Sequence, residues 1–286
     1  MGLVAKLVEL DEIAPEIGSK ELHLFDVRWY LEGRSGHEAF MQGHIKSAAF
    51  LDLNTCLCDP EVAAATKGRH PLPTPKHFES VLTSFGVTRD HRLVFYDDQG
   101  SSIAARAWWM ASAIGFDAAL LNGGLSAAPD DMTESGESRQ TSLARLPYAS
   151  QSSSWDPNLI ISEEELKVHL SNGTVILLDA RSKERYQGID ESIDPKAGHI
   201  PGAISAFWRE NVDEKDKFLR PEMIAANYRR LGIESSAATE VVSSCGSGIT
   251  ACHNIFSLLY ALEIQARLFP PSFSGWCQNT QNKIET

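Results

Sequence analysis

The second half of the chain contains the run Val241-Val242-Ser243-Ser244-Cys245-Gly246-Ser247-Gly248-Ile249-Thr250-Ala251. Its β-branched start is typical of a buried strand, and its two glycines predict a tight loop. Apolar residues then recur at helical spacing, namely Ile249, Cys252, Ile255, Leu259 and Leu262. This pattern predicts a core-facing helix that begins near Gly248. Open α/β sheets place their chemistry at the carboxyl end of a strand, beside the start of a helix, which is where Cys245 falls.

The chain also contains an internal repeat. Four pairs of segments match in the same order: residues 24–28 with 177–181, 43–45 with 198–200, 85–87 with 231–233, and 93–97 with 240–245. The offsets between the pairs fall between 146 and 155 residues. Four landmarks at similar offsets indicate two homologous halves. In this alignment Asp97 of the first half stands opposite Cys245.

Within each half, short β-branched runs alternate with helical patterns. Residues 175–178 and 241–242 are predicted to be buried strands, and residues 162–170 a helix that begins at a capping serine. The alternation predicts an α/β fold with two tandem domains, each a mainly parallel sheet flanked by helices. Because residues 130–157 are rich in Ser, Thr, Glu and Pro, they suit an exposed linker. We therefore expect an N-terminal domain over 1–135, a linker over 136–157 and a C-terminal domain over 158–286.

The bulk composition excludes several classes of function. The 286 residues carry a formal net charge of −12, which argues against nucleic acid or an anionic membrane surface as a partner. No apolar run approaches the roughly 20 residues that a membrane span needs. Five cysteines are an odd number without a dense framework, which predicts reduced thiols and a cytoplasmic protein.

The loop around Cys245 suggests a site for an anionic sulfur. Successive backbone N–H groups in a glycine-rich loop can point inward and stabilise an anion. Such a loop favours the thiolate, which is the nucleophilic form of cysteine, and it would also hold a persulfide. The competing interpretation is a buried cysteine that only packs in the core. Since Asp97 occupies the matching position, the first half cannot form a persulfide there, and we expect its domain to be non-catalytic.

Two other elements are duplicated and are expected to be structural. Asp26 with Arg28 matches Asp179 with Arg181, which suggests internal ion pairs near strand ends. Gly-His-Ile occurs in both halves, although only one half has the cysteine. Its presence in a half without the nucleophile favours a structural role for both histidines.

Several motifs resemble the 3-mercaptopyruvate sulfurtransferases, a tandem two-domain branch of the rhodanese family. The most specific is Cys245–Ala251, which is similar to the active-site loop of these enzymes, whereas thiosulfate sulfurtransferases usually carry basic residues after the cysteine. The other matching segments are residues 29–31, 33–34, 44–45, 49–52, 106–110, 122–125, 179–181, 185–186 and 198–203. Four positions depart from the family pattern: the usual Trp after Gly-Gly-Leu is missing at residues 126–129, the C-terminal Gly-Ser-Trp element reads Pro271-Ser272-Phe273, and the other two lie at the site. Asn54 stands where some members have an acid that completes a proton relay, and Asp194 stands where a second substrate-binding arginine is often found.

The resemblance implies two rhodanese-like domains and a set of site residues. Cys245 would accept sulfur, and Ser247 with His70 would relay a proton. Arg185 would bind the substrate carboxylate, for which the fork of a guanidinium is well suited. Lys196 could compensate for the arginine missing at Asp194. The remaining residues of the active-site loop are Gly246, Gly248, Ile249 and Thr250.

The implied reaction moves sulfur from 3-mercaptopyruvate to a thiol, a thioredoxin-like protein or cyanide, without an organic cofactor. No metal is expected either, because Cys56 and Cys58 have no second ligand pair at a zinc-like spacing. Three alternatives remain open. Thiosulfate could be the true donor, although Gly246-Ser247-Gly248 contains no cation to bind a dianion. A cysteine phosphatase would need an arginine that closes the loop, and a non-enzymatic binding module would need no intact loop at all.

Overall fold

A computed structural model describes residues 2–59, 68–137, 154–234 and 239–286. The chain forms two compact units. The first comprises Met1–Cys58, Pro73–Trp155 and Val212–Phe218, and the second comprises Asp59–Leu72, Asp156–Asn211 and Leu219–Thr286. His70 therefore belongs to the same unit as Cys245, although it precedes most of that unit in sequence. The predicted linker lies largely outside the described residues, so the domain limits stay a prediction.

The first unit is built on a parallel sheet of five strands in the order β1-β6-β5-β2-β4. Its strands are β1 (Lys6–Val8), β2 (Leu22–Asp26), β4 (Ala49–Phe50), β5 (Arg92–Tyr96) and β6 (Asp117–Leu121), and a separate antiparallel pair is formed by β3 (His44–Ile45) and β7 (Thr133–Glu134). Its helices are α1 (Leu10–Ile13), α2 (Gly36–Gln42), α3 (Leu53–Cys56), α4 (Pro75–Ser84) and α5 (Ala104–Ala113). Short 3₁₀ helices cover Ala14–Glu16, Gly124–Ala127 and Asp130–Met132.

The second unit repeats this plan on a parallel sheet of four strands in the order β11-β10-β8-β9. Its strands are β8 (Val175–Asp179), β9 (Ala203–Ser205), β10 (Glu240–Ser244) and β11 (Arg267–Leu268). Its helices are α6 (Glu163–Asn172), α7 (Lys183–Tyr186), α8 (Pro221–Arg230), α9 (Ala251–Leu262) and α10 (Ser272–Trp276), with a 3₁₀ helix over Trp208–Asn211. The predicted α/β class is confirmed in both units.

The predicted elements of the second unit form close to where the sequence places them. Ser162 caps α6, since its side chain accepts a hydrogen bond from the Glu165 N–H. The strands predicted at residues 175–178 and 241–242 correspond to β8 and β10, which lie side by side in the sheet. The helix after Cys245 begins at Ala251 rather than near Gly248, because residues 246–250 are used by the loop itself.

The duplicated Asp–Arg pairs fix the turns that surround each sheet. Asp26 ends β2 and Asp179 ends β8, and each carboxylate binds the Nε of the arginine two residues later at 2.9 to 3.1 Å. The Nη2 of Arg28 then donates to the carbonyl of Gly43, and the Nη2 of Arg181 to that of Gly198. All four side chains are almost fully buried. The ion pairs thus tie a strand end to the Gly-His-Ile turn in both units, which is the structural role that their duplication predicts.

The two histidines of these turns are packed in the same way. His44 stacks on Phe40 with ring centroids 3.7 Å apart, and His199 stacks on Tyr186 at 3.8 Å. The Nδ1 of each ring lies within 2.9 Å of a backbone carbonyl oxygen. Matching geometry in a half without the cysteine fits a structural role for both rings. Among the described helices, none has the length and hydropathy of a membrane-spanning segment.

Candidate active site

Cys245 lies directly after β10, where the strand opens into the glycine-rich loop. Its side chain is buried, and its Sγ accepts a hydrogen bond from the backbone N–H of Gly248 at 3.1 Å. Gly248 has a φ of +79°, a conformation that an L residue adopts only with strain. The glycine thus allows the chain to turn back so that a backbone amide points at the sulfur.

The backbone of the loop is held by the start of α10. The Cys245 N–H donates to the Ser272 Oγ at 3.1 Å. The carbonyls of Cys245 and Gly246 accept from the backbone N–H groups of Phe273 and Ser274 at 3.0 and 2.8 Å. These contacts fix the loop before any substrate binds, which is the preorganisation that a reactive site requires.

In the equivalent loop of the first unit, the backbone N–H groups are bound by the side chain of Asp97. Asp97 is completely buried, and its carboxylate accepts hydrogen bonds from four backbone N–H groups at 2.8 to 3.0 Å, those of Gln99, Ser101, Ile103 and Ala104. Burial raises the pKa of Asp97, and the four N–H groups only partly offset this effect. The loop of the first unit thus also forms a ring of inward-pointing amides, and the Asp97 carboxyl group fills it.

Ser247 and His70, the predicted proton relay, do lie together. The His70 Nδ1 is 2.8 Å from the Ser247 Oγ, and the serine is almost fully buried. The direction of the hydrogen bond depends on the tautomer of the ring, and either direction connects the loop to a group that can carry a proton. Asn54, the departure from the family pattern, lies on the exposed side of α3 in the first unit.

Arg185, the predicted carboxylate ligand, lies in α7 and turns its guanidinium toward Gly246. A Cβ built on Gly246 would lie 3.4 Å from the Arg185 Nη1. The fork of Arg185 is already occupied, however, because its Nε and Nη2 bind Glu191 at 2.9 to 3.1 Å, and its Nη2 also binds Asp194 at 3.0 Å. The role of Arg185 as a ligand of the substrate carboxylate therefore stays a prediction, with two of its three guanidinium nitrogens bound to carboxylates of the protein. Nη1 is the Arg185 nitrogen nearest to the Gly246 position, at 3.4 Å from the added Cβ against 3.7 Å for Nη2.

A second guanidinium, that of Arg69, lies over the same glycine. Its Nη2 would be 2.8 Å from a Cβ on Gly246, and its Nη1 forms a salt bridge with Asp194. The absence of cations within the loop sequence is thus no guide to the charge around it, since both guanidinium groups come from other segments. Sequence reasoning missed Arg69, although it directly precedes the predicted relay residue His70.

The pKa values of Glu191 and Asp194, whose carboxylates bind these arginines, are shifted in opposite directions. Burial alone would raise the pKa of Glu191, but the backbone N–H of Asp194 and the Arg185 guanidinium outweigh it and lower the pKa. Burial raises the pKa of Asp194, and Arg69 only partly offsets this. Arg181, held by Asp179, also contacts Glu191 at 3.3 Å. Three guanidinium groups and three carboxylates thus form one network beside the loop, and their formal charges cancel.

Three further residues are predicted to belong to the site, namely Ile249, Thr250 and Lys196. Ile249 is buried beside the loop and Thr250 precedes α9 as its N-cap residue. Lys196 is half-buried in the segment after Asp194, and its role in substrate binding stays a prediction. In the described part of the chain, no group of three or more His, Cys, Asp or Glu side chains could hold a metal ion.

Comparisons with known proteins agree with the two-unit α/β fold. A family model described as "Rhodanese-like domain" matches residues 9–128 and again residues 162–279. A Pseudomonas aeruginosa protein named "Probable 3-mercaptopyruvate sulfurtransferase" is 36% identical over 99% of this chain and 98% of its own length. A Mycobacterium tuberculosis protein named "Putative thiosulfate sulfurtransferase" is 33% identical over 97% of this chain and 96% of its own length. The crystal structure of a 3-mercaptopyruvate sulfotransferase from Escherichia coli superposes with a TM-score of 0.78 at 26% identity, covering 94% of this chain and 99% of that one.

Proposed function

This chain belongs to the rhodanese family, and on that basis we propose that it is a sulfurtransferase that moves sulfur from 3-mercaptopyruvate through a persulfide on Cys245 and releases pyruvate. The observation that carries the proposal is the position of Cys245. Its sulfur accepts a hydrogen bond from the Gly248 N–H, in a loop that is hydrogen-bonded to α10. The guanidinium groups of Arg69 and Arg185 lie over the neighbouring Gly246. A thiol that only packed in the core would have neither.

In the first half-reaction the Cys245 thiolate attacks the sulfur of 3-mercaptopyruvate. A sulfur–sulfur bond forms while the carbon–sulfur bond breaks, and the electron pair of the broken bond passes to the carbon as the enolate of pyruvate. The enolate takes up one proton and leaves as pyruvate. Cys245 is left as a persulfide, whose charge the loop amides stabilise.

The proton for the enolate is supplied by the pair Ser247 and His70. The 2.8 Å contact between the serine oxygen and the ring nitrogen allows the hydroxyl to give its proton to carbon and to be recharged by the imidazole. The proton released when the mercaptopyruvate thiol becomes the outer persulfide sulfur balances this transfer. Arg185 orients the donor through Nη1, and Lys196 adds positive charge to the same segment.

In the second half-reaction an acceptor attacks the outer sulfur of the persulfide. A thiolate acceptor leaves with a new persulfide, cyanide leaves as thiocyanate, and in both cases the Cys245 thiolate returns. We propose a small thiol or a reduced thioredoxin-like protein as the acceptor and the cytoplasm as the compartment. The five free cysteines fit a reducing environment of that kind.

Thiosulfate is the second candidate donor, because the guanidinium groups over Gly246 supply cations that the loop sequence lacks. The balance of charge in the network favours 3-mercaptopyruvate. With Asp179, Glu191 and Asp194 offsetting three arginines, the network has no net formal charge with which to attract a dianion. We therefore expect kcat/KM for 3-mercaptopyruvate to exceed that for thiosulfate, and a strong preference for thiosulfate would reverse the assignment.

The direct test is mass spectrometry of the intact protein after exposure to 3-mercaptopyruvate without an acceptor. We expect a gain of one sulfur atom that maps to Cys245 and is absent in Cys245→Ser. The matched control is Cys56→Ser, which removes a half-buried cysteine of the first unit and should load normally. Loading of Cys245→Ser, or no loading of the unmodified protein, would refute the proposal.

A further inference from the structure

We propose that Ser272 positions Cys245 for sulfur transfer, and that the second unit keeps a strained backbone at this residue so that the serine hydroxyl can hold the cysteine. The inference rests on the proposed function and adds to it a positioning residue from outside the glycine-rich loop. Ser272 acts through the backbone N–H of Cys245 rather than on a reacting atom. The proposal follows from its backbone conformation, its buried hydroxyl and a comparison with the first unit.

The backbone of Ser272 lies in the left-handed region, which favours glycine. Its φ is +50°, and the residue is completely buried. An L residue adopts this conformation only with strain, whereas glycine adopts it readily. Strained residues of this kind persist where the surrounding contacts hold them, and they cluster at functional sites. The reason for a serine at this position therefore lies in its side chain.

The hydroxyl of Ser272 makes two hydrogen bonds. Its Oγ accepts from the Cys245 N–H at 3.1 Å and donates to the carbonyl of Phe269 at 2.9 Å. Because the donated bond fixes the rotation of the hydroxyl, a lone pair stays directed at Cys245. The next residue, Phe273, donates its own N–H to the Cys245 carbonyl at 3.0 Å. The backbone of Cys245 is thus held on both sides, with its Sγ 3.1 Å from the Gly248 nitrogen.

The first unit contains the same turn without the hydroxyl. Gly124 has a φ of +52°, and Leu125 donates its N–H to the Asp97 carbonyl at 2.9 Å, as Phe273 does to Cys245. A Cβ built on Gly124 would clash with the Asp97 carbonyl oxygen, so a side chain is excluded there. The unit without the cysteine therefore has a glycine at this turn, and the unit with the cysteine has a serine that binds it. This difference connects the hydroxyl with the chemistry rather than with the fold.

The competing role for Ser272 is purely structural, in which its hydroxyl only satisfies a buried N–H. The two roles can be separated, because the hydroxyl and the backbone strain can be changed independently. Ser272→Thr keeps the hydroxyl and adds strain through its branched Cβ. Ser272→Ala removes the hydroxyl and keeps the strain, and Ser272→Gly removes both. In a structural role the activity follows the melting temperature, and in a positioning role it follows the hydroxyl.

The experiment measures the melting temperature together with kcat and KM for pyruvate release from 3-mercaptopyruvate. The proteins are the unmodified chain, the three Ser272 variants and the control Ser257→Ala, which removes an equally buried hydroxyl from α9. In Ser272→Ala and Ser272→Gly we expect kcat to fall about 3- to 10-fold, as for one hydrogen bond, with KM changed less than about 2-fold. Ser272→Gly should melt at a higher temperature than Ser272→Ala, because its backbone is not strained.

The other two variants separate stability from activity. Ser272→Thr should melt at a lower temperature than the unmodified chain and keep kcat within about 2-fold, since its hydroxyl can still accept the Cys245 N–H. Ser257→Ala should also melt at a lower temperature, with kcat unchanged. If Ser272→Thr does not fold, Ser272→Ala and Ser272→Gly still decide, because they differ in strain and share the missing hydroxyl.

A second readout needs no sulfur donor. The rate at which iodoacetamide alkylates Cys245 should fall in Ser272→Ala and Ser272→Gly by a factor similar to that in kcat, and should be unchanged in Ser257→Ala. A kcat that follows the melting temperature across the series, or both rates unchanged in Ser272→Ala and Ser272→Gly, would overturn the inference. Failure of the proposed function is a different result, in which the unmodified chain releases no pyruvate while the alkylation rates still report on Ser272.

Discussion

Substitution of Gly246 by alanine should impair donor binding while leaving the fold intact. The added Cβ would lie 2.8 Å from the Arg69 Nη2 and 3.4 and 3.7 Å from the two Nη atoms of Arg185. The first distance is shorter than a van der Waals contact, so the Arg69 guanidinium must move. Gly246 has no positive φ, and its replacement therefore adds no backbone strain.

The magnitude follows from the contacts that are displaced. Weakening one charge-assisted hydrogen bond by about 1 to 2 kcal/mol lowers kcat/KM for 3-mercaptopyruvate roughly 5- to 30-fold. Most of the change should appear in KM, since the thiol and its Gly248 contact remain in place. The melting temperature should change little, because flexible ends of side chains can give way to one methyl group.

Gly248→Ala is the matched comparison within the same loop. Its φ of +79° makes an alanine strained by about 1 to 2 kcal/mol, so this variant should lose stability as well as activity. The assay is pyruvate release at varied donor concentration, together with thermal unfolding of both variants. An unchanged KM in Gly246→Ala, or a loss of stability as large as that of Gly248→Ala, would show that the guanidinium groups do not lie where we place the substrate.

Three further predictions concern Asp97, His23 and Ser247. Asp97→Ala leaves four buried N–H groups without their acceptor, so we expect the free energy of unfolding in urea to fall by about 2 to 4 kcal/mol. An unchanged midpoint of urea unfolding would mean that water replaces the carboxylate at no cost. Burial, with a smaller effect of His91, lowers the pKa of His23 from 6.5 to about 4. The unfolded chain thus takes up a proton below 6.5 that the folded chain does not, and stability should fall by up to about 2 kcal/mol between about pH 7.5 and about pH 5. His23→Leu should remove that part of the pH dependence, and an identical profile in both proteins would contradict it. Ser247→Ala should lower kcat for pyruvate release at least about 10-fold, because the proton donor is lost. The transfer of sulfur from a preformed persulfide to cyanide should change little. Equal effects on both steps would contradict a proton relay through Ser247.

The elements of the fold could be predicted because they depend on local patterns. The β-branched runs of β8 and β10, the capping Ser162 and the repeated Asp–Arg pairs are all visible within a few residues of sequence. The loop at Cys245 and its helix follow from two glycines and a regular apolar spacing. Such features need no knowledge of distant contacts.

The electrostatics of the site could not be predicted in the same way. Arg69 reaches the loop through contacts with Asp194 and Ser274, which are 125 and 205 residues away in sequence. No spacing rule connects them. The occupation of the Arg185 fork by Glu191 is equally hidden, since an acidic residue six positions away could as well face solvent. A basic residue next to the predicted relay histidine was the one available signal for Arg69.

The central claim is that Cys245 carries the sulfur, and the stoichiometry of a single turnover tests it most directly. The chain is mixed with excess 3-mercaptopyruvate in the absence of an acceptor, and pyruvate and the sulfur on each cysteine are counted together. We predict one pyruvate for each Cys245 that becomes a persulfide, followed by no further release until cyanide or a thiol is added. Continued pyruvate release without an acceptor, or a burst that persists in Cys245→Ser, would contradict the account.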